Sequence, residues 1–403
     1  MALLPVGEAV ARVLADVAAL PSETVKLNAA RGRILADSAT ALRAQPAFNA
    51  SAMDGYAVRA ADTSLNATLR QIGVSAAGRG FNGQVGEGEA VRIFTGAPVP
   101  EGADTILIQE DATALNDIIT VREAPGPARH IRKIGIDFAA GEAPFAPGRA
   151  LSPRDLGLLA AMGLGEISVI RRPRIAILAT GDELVPAGAE PGRDQIVASS
   201  SVMISAFVEA EGGEAVDLGI ARDRLDILRG HIEQARAANA DVLVTLGGAS
   251  VGDHDLVQAA LSQEGAKLDF WRIAMRPGKP AMFGRMGAMP VLGLPGNPVS
   301  TYVCSILFLR PLIRKLLGRP DFANQLEPAV LGRDLRANDE REDYLRSSLA
   351  TDGDRTVATP FETQDSSMMK PLALSDCLVV RLPHAPAAKR GDACQIVRLA
   401  SII

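Results

Sequence analysis

The chain has 403 residues, of which 47% are hydrophobic and 22% charged, with a formal net charge of −5. These values are typical of a soluble protein with more than one domain. The acidic balance, without a long Lys/Arg run, argues against nucleic acid as a partner. Three scattered cysteines without C-x-x-C spacing indicate a reducing compartment, no disulfide framework and no zinc site. We find neither a signal-like N-terminus nor an apolar run of membrane-spanning length, so we expect a cytoplasmic protein with no membrane partner.

The pattern of the N-terminal third of the sequence changes from helical to β-rich at residue 46. Apolar spacing predicts a helix over residues 6–20 and a second helical piece over 29–36. Short β-rich pieces broken by glycine follow, at residues 69–75, 90–94 and 105–109, so we predict a mainly-β domain over residues 46–139. A later helix over residues 154–162 can return to the N-terminal helices. Residues 1–45 with 140–170 would then form a helical linker domain that carries the β domain as an insertion.

From residue 171 the pattern becomes strand, loop, helix. Alternation of strands and helices predicts parallel β-α-β units, and hence a doubly wound α/β domain over residues 171–321. The predicted strands lie at residues 175–179, 214–218, 242–246 and 270–274, and the predicted helices at 201–210, 222–238, 256–261 and 299–317. Residues 281–285 and 291–294 predict a local hairpin at the sheet edge.

The last eighty residues return to short strands, at residues 345–350, 356–360, 378–382 and 395–399. Turn signals such as Asp352-Gly-Asp354 separate them. We therefore predict a small C-terminal β-barrel or sandwich over residues 322–403. The fold class as a whole is multidomain α/β plus β.

Five loops of the α/β domain are predicted to meet, because ligands of an open α/β sheet bind outside the carboxyl ends of its strands. They are residues 180–183, 221–223, 247–255, 276–279 and 293–300. Glycine turns that open a helix can hold an anion on free backbone N–H groups. The residues that suit an anion are Gly247, Gly248, Ser250, Arg276, Lys279, Pro295, Gly296 and Asn297.

The same loops carry the carboxylates Glu183, Asp223, Asp253 and Asp255. These groups repel an anion unless a divalent cation mediates, and Mg²⁺ takes carboxylate and phosphate oxygens together. The pattern therefore predicts phosphoryl or nucleotidyl chemistry with Mg²⁺, and the absence of a G-x-x-x-x-G-K-[ST] motif excludes a P-loop enzyme. Simpler interpretations exist: Asp223 precedes a predicted helix and is first of all a candidate cap, one of Asp182 and Glu183 is a cap, and Asn297 can start the next helix.

Six motifs in order identify a family resemblance that spans essentially the whole chain. They are Ser51 to Ala57 (SAMDGYA), Phe94 to Asp104 (FTGAPVPEGAD), Thr180 to Leu184 (TGDEL), Gly247 to Asp255 (GGASVGDHD), Arg276 to Pro280 (RPGKP) and Gly293 to Ser300 (GLPGNPVS). The chain resembles the molybdopterin molybdenumtransferases, the MoeA-type molybdenum insertases related to the E domain of gephyrin.

The resemblance implies four domains and a homodimer whose cleft receives the SAMDGYA loop from the partner subunit. It implies a reaction in which adenylylated molybdopterin and molybdate give molybdenum cofactor and AMP with the help of Mg²⁺. The partners it implies are these substrates, and it suggests the upstream adenylyltransferase and acceptor molybdoenzymes as further ones.

The resemblance also assigns roles by matching position. Asp54, Thr95, Glu183 and Asp255 form the implied catalytic set. Asp137 joins Glu183, Asp223 and Asp253 as an implied metal ligand. Arg276 and Lys279 would hold the pterin phosphate or the oxyanion, and Arg346 would be a substrate-binding residue from the C-terminal domain. The sequence departs from the family at three positions: Arg276 stands where Lys is common, Ile136 replaces an acidic residue, and Ala249 replaces Val. Arg offers a bidentate fork and Lys a point charge, so the first change is not neutral.

Two other functions stay open at this point. One is a nucleotidyltransferase that adenylylates molybdopterin, because residues 171–321 alone resemble that related fold. The other is a non-catalytic, gephyrin-like scaffold, which predicts a degraded acidic set. The choice between molybdate and tungstate, the recipient apo-enzyme and the number of bound ions are not encoded in any motif that we find.

Overall fold

The computed structural model describes residues 3–248 and 256–399. The chain divides into two compact units. One consists of Met1–Glu23, Gly32–Ala36 and Val169–Ile403, and the other of Thr24–Arg31 and Asp37–Ser168. Among the described residues, no helix is long and apolar enough to cross a membrane.

The N-terminal segment is less helical than its sequence predicts. Helix α1 spans Val6–Leu14 and ends there because Ala15 is extended, with ψ 139°. Strand β1 (Ser22–Lys26) and a 3₁₀ turn (Leu27–Ala29) follow. The predicted helix over 29–36 is wrong, because Leu35 forms a β-bridge with Val169 instead.

The smaller unit is built on a six-stranded mixed sheet. Its β elements are β2 (Ala50–Ser51), β3 (Gly55–Val58), β4 (Thr68–Ser75), β5 (Glu89–Ile93), β6 (Thr105–Ile108), β7 (Ala112–Leu115), β8 (Ile118–Val121) and β9 (Ile131–Arg132). The sheet order is β6-β3-β5-β4-β8-β7, while β2 pairs with β9. Apolar side chains are buried on both faces of this sheet, which confirms the mainly-β prediction.

Helix α2 (Pro153–Ala161) also belongs to this unit, and its start is fixed by a capping box. The Ser152 hydroxyl accepts from the Asp155 N–H, and the Asp155 carboxylate accepts from the Ser152 N–H. Strand β10 (Glu166–Ile170) ends the segment.

The larger unit contains the predicted doubly wound domain. Its strands are β11 (Arg174–Thr180), β12 (Leu184–Val185), β13 (Ile196–Val197), β14 (Glu214–Ala221), β15 (Val242–Leu246), β16 (Ala266–Phe270), β17 (Met275–Arg276), β18 (Met282–Met286) and β19 (Met289–Leu294). Its helices are α3 (Ser199–Ala210), α4 (Leu225–Ala237), α5 (Leu256–Gln263), α6 (Pro298–Cys304) and α7 (Arg310–Leu316), with a π-helical segment, Ser305–Leu309, between the last two.

The main sheet has the order β14-β11-β15-β19-β18-β16, and its first four strands are parallel. Every residue of β15 is buried, as expected for a central strand covered on both faces. One core lies on the side of α1, α3, α6 and α7, and a second on the side of α4 and α5. This arrangement confirms the predicted fold class.

Two local predictions for this sheet meet different outcomes. The hairpin is confirmed as β18–β19, but the edge strand is β16, which pairs antiparallel with β18. The strand predicted over residues 270–274 is wrong. The chain leaves the sheet after Phe270, and β17 pairs instead with the C-terminal domain.

The C-terminal residues form a closed five-stranded barrel, as predicted. Its elements are β20 (Glu327–Leu331), β21 (Glu342–Asp352), β22 (Arg355–Pro360), α8 (Met369–Ala373), β23 (Cys377–Arg381) and β24 (Ala393–Arg398). The order β21-β22-β20-β24-β23 closes through the antiparallel pair β21–β23. Strand β17 joins the outside of β21 and so ties the loop after it to the barrel.

Candidate active site

A pocket of about 770 Å³ opens at the carboxyl ends of β11, β15 and β19. This is the edge at which an open α/β sheet binds its ligands. Among the residues singled out from the sequence, the pocket brings together Glu183, Asp223, Gly247, Gly248, Pro295, Gly296 and Asn297.

The floor of the pocket is backbone, because three strand ends approach one another closely. Gly247 has φ +97°, and a Cβ atom there would lie 2.8 Å from the carbonyl oxygen of Thr180. Its N–H donates to the Leu294 carbonyl at 3.0 Å. Only glycine satisfies both the left-handed conformation and this contact, so the loop after β15 lies directly on the end of β11.

One edge of the pocket is acidic. Burial, followed by the charges of Asp182 and Glu183, raises the pKa of Asp223. The Asp223 N–H donates to Asp182 Oδ1 at 3.2 Å, which holds the two loops together. The interpretation of Asp223 as a helix cap is wrong, because α4 begins after Arg224 and has no side-chain cap.

The chemistry of these carboxylates fits a magnesium ion. Within residues 3–248 and 256–399, neither Glu183 nor Asp223 has a lysine or arginine partner within ion-pair distance. In the same residues no three His, Cys, Asp or Glu side chains are arranged to hold a metal. Mg²⁺ is commonly bound by one or two carboxylates together with water and substrate phosphates, so this donor set suits it without a complete protein cage.

Asn297 occupies the N-cap position of α6, with Pro298 in the first turn. The Asn297 side chain does not cap the helix. Its amide donates instead to Ser366 Oγ at 3.0 Å, and the Val299 N–H donates to the Ser366 carbonyl at 3.2 Å. The barrel segment that contains Ser366 therefore borders the pocket, and Ser367 and Met369 line it.

The two predicted cations of the RPGKP loop differ in their surroundings. Arg276 donates to Asn338 and Asp339, each at 3.2 Å, and to Asp343. Lys279 is exposed and, within the described chain, its ammonium group makes no hydrogen bond or ion pair. Pro280 lines the pocket, whereas the lining contains neither Arg276 nor Lys279.

Arg346 is buried inside the C-terminal domain, with 1% of its surface exposed. Its Nε donates to Gln364 Oε1 and its Nη1 to the Met368 carbonyl, both at 3.3 Å. Burial lowers its pKa from the ordinary arginine value. The resemblance predicts a substrate-binding role for this arginine, and the structure places it behind the segment that borders the pocket.

The smaller unit brings Asp54 and Thr95 together. Asp54 Oδ1 accepts from the backbone N–H of Thr95 at 2.7 Å and from its hydroxyl at 2.8 Å. These bonds lower the pKa of Asp54. Asp137 belongs to the same unit and is exposed, with its backbone N–H donating to the Gln45 carbonyl at 3.0 Å.

Three predicted site residues, Ser250, Asp253 and Asp255, lie outside the described residues. Conversely, Ser199, Ser200 and Ser201 line the pocket at the start of α3, and none of the sequence motifs includes them. Three successive serines before an apolar helical run were the available signal, since serine favours helix starts.

Comparison with known proteins supports the motif-based resemblance. Residues 4–163 match the family model of the MoeA N-terminal region (domain I and II), residues 176–315 the probable molybdopterin binding domain, and residues 328–399 the MoeA C-terminal region (domain IV). A molybdopterin molybdenumtransferase of Haemophilus influenzae is 39% identical over 302 residues, which are 74% of each chain.

Further relatives cover more of the chain. Molybdopterin molybdenumtransferase 2 of Mycobacterium tuberculosis is 36% identical over 337 residues, 81% of this chain and 83% of that protein. The crystal structure of a molybdopterin biosynthesis MoeA protein from Pyrococcus horikoshii superposes with a TM-score of 0.88 at 29% identity, covering 99% of this chain and 100% of that chain. The chain belongs to the MoeA family of molybdopterin molybdenumtransferases.

Proposed function

We propose that the chain transfers molybdenum from molybdate to adenylylated molybdopterin and releases AMP. The observation that carries this proposal is the pocket in which the Glu183 and Asp223 carboxylates meet glycine-rich backbone at the ends of three parallel strands. In a transferase family that acts on molybdopterin, such a pocket suits a phosphoanhydride together with a cation. Backbone N–H groups and cations stabilise the charge that develops on phosphate oxygens during cleavage.

Glu183 and Asp223 would hold the Mg²⁺ ion, which neutralises charge on the phosphate oxygens when it is bound. The raised pKa of Asp223 supports this role, because its causes are burial and then the charges of Asp182 and Glu183, and a bound cation would offset both. Asp253, Asp255 and Asp137 remain proposed members of the acidic set on the strength of their positions in the motifs.

The other predicted site residues differ in the contacts that they make. Lys279 is free to meet an anion, while the carboxylate partners of Arg276 favour a role in fixing the RPGKP loop. Gly247, Gly248, Ser250, Pro295, Gly296 and Asn297 would contact the substrate through loop backbone and short side chains. The hydrogen-bonded pair of Asp54 and Thr95 supports a joint role for these two residues.

A homodimer organised in four domains completes the proposal. Met53 and Phe94 flank Asp54 and Thr95 in sequence and are 40% and 39% exposed, so apolar surface lies beside the pair that a partner subunit is proposed to use. Light scattering on purified protein tests the assembly, with a monomer at micromolar concentration as the contradicting result. The cytoplasmic location and the exchange with an upstream adenylyltransferase and acceptor molybdoenzymes follow from the same proposed reaction.

The alternative functions find less support. An adenylyltransferase needs only the α/β domain, whereas this chain also matches the MoeA N-terminal and C-terminal regions. A scaffold has no need for acidic residues, whereas Asp54 and Glu183 are both in place.

The test supplies purified protein with adenylylated molybdopterin, Mg²⁺ and molybdate, and follows AMP release and cofactor formation. We expect AMP and cofactor in equal amounts, and loss of both after chelation of divalent cations. Folded dimer that releases no AMP above background would overturn the proposal. ATP consumption with free molybdopterin would favour the adenylyltransferase.

A further inference from the structure

The start of helix α3 presents unused hydrogen-bond donors to the pocket. Ser199, Ser200 and Ser201 all line it. The helix runs for 12 residues to Ala210, and its N-cap residue, Ala198, has no side chain that can accept a hydrogen bond from the first turn. The first N–H groups of a helix have no acceptor inside the helix, and the helix dipole places partial positive charge there.

The side chain of Ser201 also points to a ligand, because its hydroxyl is buried without a hydrogen-bond partner among the described residues. Only 8% of the surface of Ser201 is exposed. A buried hydroxyl without a partner destabilises the fold relative to a satisfied one. A ligand oxygen in the pocket that accepts from this hydroxyl would offset that destabilisation.

The helix start is also fixed next to the acidic edge of the pocket. Strands β12 and β13 pair Leu184 with Ile196 and Val185 with Val197. The Ile196 N–H donates to the Glu183 carbonyl and the Ala198 N–H to the Val185 carbonyl, both at 2.9 Å. Donors from α3 and the carboxylate of Glu183 therefore come from two segments held in register.

We propose that the N-terminus of α3, with the Ser201 hydroxyl and the backbone N–H groups of Ser199 to Ser201, is a binding subsite for a tetrahedral oxyanion. The ligand chemistry is that of a phosphate group or molybdate, each of which offers several acceptor oxygens and negative charge. A cation held by Glu183 and Asp223 would bind the opposite side of the same oxyanion. The inference rests on the proposed function for the identity of these two oxyanions.

Two substitutions separate binding from folding. Ser201→Ala removes the hydroxyl and leaves the backbone donors. Ser201→Asp places a carboxylate in the first turn, where negative charge favours the helix, but it repels an anion. Ser205→Ala is the matched control, because it removes a hydroxyl one turn further along the same helix, from a residue that does not line the pocket.

The measurement is calorimetric titration of the full chain, in the presence of Mg²⁺, with AMP alone and with molybdate alone. We expect Ser201→Ala to weaken at least one probe by about tenfold, since the variant loses a hydrogen bond to a charged group. Ser201→Asp should weaken the same probe further, and the melting temperature of each variant, measured in parallel, separates lost binding from lost folding. The probe that is weakened identifies the source of the oxyanion: AMP for the phosphate group, molybdate for the metal substrate.

Equal affinities for both probes in wild type, Ser201→Ala and Ser201→Asp would overturn the subsite, as would a wild-type chain that binds neither probe. Turnover of the wild type, measured in parallel, keeps the two proposals distinguishable. If the wild type releases AMP normally and the variants keep their affinities, only the proposed subsite is wrong. If the variants bind a probe more weakly but the wild type releases no AMP, only the proposed reaction is wrong.

Discussion

The Asp54 carboxylate and Thr95 form two hydrogen bonds that join two loops of the β domain. Asp54 Oδ1 accepts from the Thr95 N–H at 2.7 Å and from the Thr95 hydroxyl at 2.8 Å. The backbone bond is the larger cause of the lowered pKa of Asp54, and the hydroxyl bond is the next. Hydrogen bonds to the charged form of a carboxylate favour ionisation, so Asp54 stays negative to lower pH than an ordinary aspartate.

Thr95→Val tests the hydroxyl bond of this pair, because it removes the hydroxyl and keeps the backbone N–H. We expect the pKa of Asp54 to rise part of the way to its usual value, as measured by carboxyl carbon NMR during a pH titration. A depressed pKa contributes stability that is lost as pH falls through the folded value, so this loss should begin at higher pH in the variant. The acid limb of the AMP-release profile should shift in the same direction.

Thr113→Val serves as the control, because the Thr113 hydroxyl accepts from Arg122 Nε and, among the residues that the structure describes, bonds to no carboxylate. An Asp54 titration that is identical in Thr95→Val and wild type would contradict the role assigned to the hydroxyl.

Glu183→Gln tests the acidic edge of the pocket. We expect the pKa of Asp223 to fall, because one of the two neighbouring charges that raise it is removed while burial and Asp182 remain. AMP release should drop by about 100-fold or more if Glu183 acts directly on the reaction. Carboxyl NMR reports the first effect and turnover the second.

Glu190→Gln is a matched control, since it makes the same charge change at another exposed glutamate, in the loop between β12 and β13. Unchanged turnover in Glu183→Gln would mean that Glu183 takes no part in the reaction, even if the pKa of Asp223 changes.

The fold class and the position of the pocket could be predicted from the sequence. The partners of individual side chains could not. Alternation of strands and helices predicts the parallel sheet because local periodicity reflects which faces are buried. It cannot predict that Arg276 lies opposite Asp343, because that pairing depends on β17 joining the barrel some seventy residues later. The surroundings of Arg346 depend on the fold for the same reason: a charged residue is rarely buried without an ionic partner, and only the folded barrel provides Gln364 and Met368.

Arg276→Ala should destabilise the contact between the α/β domain and the barrel. Asp343 is 6% exposed, its Oδ2 accepts from Arg276, and its Oδ1 has no partner among the described residues. Removing the guanidinium leaves a buried carboxylate unpaired, for a loss of about 2 kcal/mol in the free energy of unfolding.

This loss should depend on pH in a defined direction. Burial already raises the pKa of Asp343, and Arg276 opposes that shift. Without Arg276 the pKa rises further, so the variant should lose more stability at pH 7 than at pH 4, where Asp343 is closer to neutral. Urea denaturation at the two pH values measures the difference.

A double variant and a control complete the Arg276 test. Adding Asp343→Asn should remove most of the pH dependence, because the amide does not ionise. Arg272→Ala is the control, since Arg272 is exposed and has no ion pair within the described residues. A loss that is equal at both pH values would show that Arg276 acts through packing and not through charge.

Gly278→Ala should displace the loop that carries Lys279. Gly278 has φ +114°, and a Cβ atom there would lie 2.6 Å from Cys304 Sγ and 2.9 Å from Met275 Cε. Both partners are buried, so neither can move away freely. The combined strain is about 2 kcal/mol, which the loop can relieve only by shifting away from α6. We expect a lower melting temperature together with reduced turnover.

Gly287→Ala provides the comparison, because Gly287 also has a positive φ, +63°, but no atom of the described residues lies within 4 Å of the added methyl group. Adding Cys304→Ala to Gly278→Ala removes the nearest clash and leaves the backbone strain, so it should restore turnover only in part. Full turnover in Gly278→Ala alone would mean that the position of this loop, and with it Lys279, does not matter for the reaction.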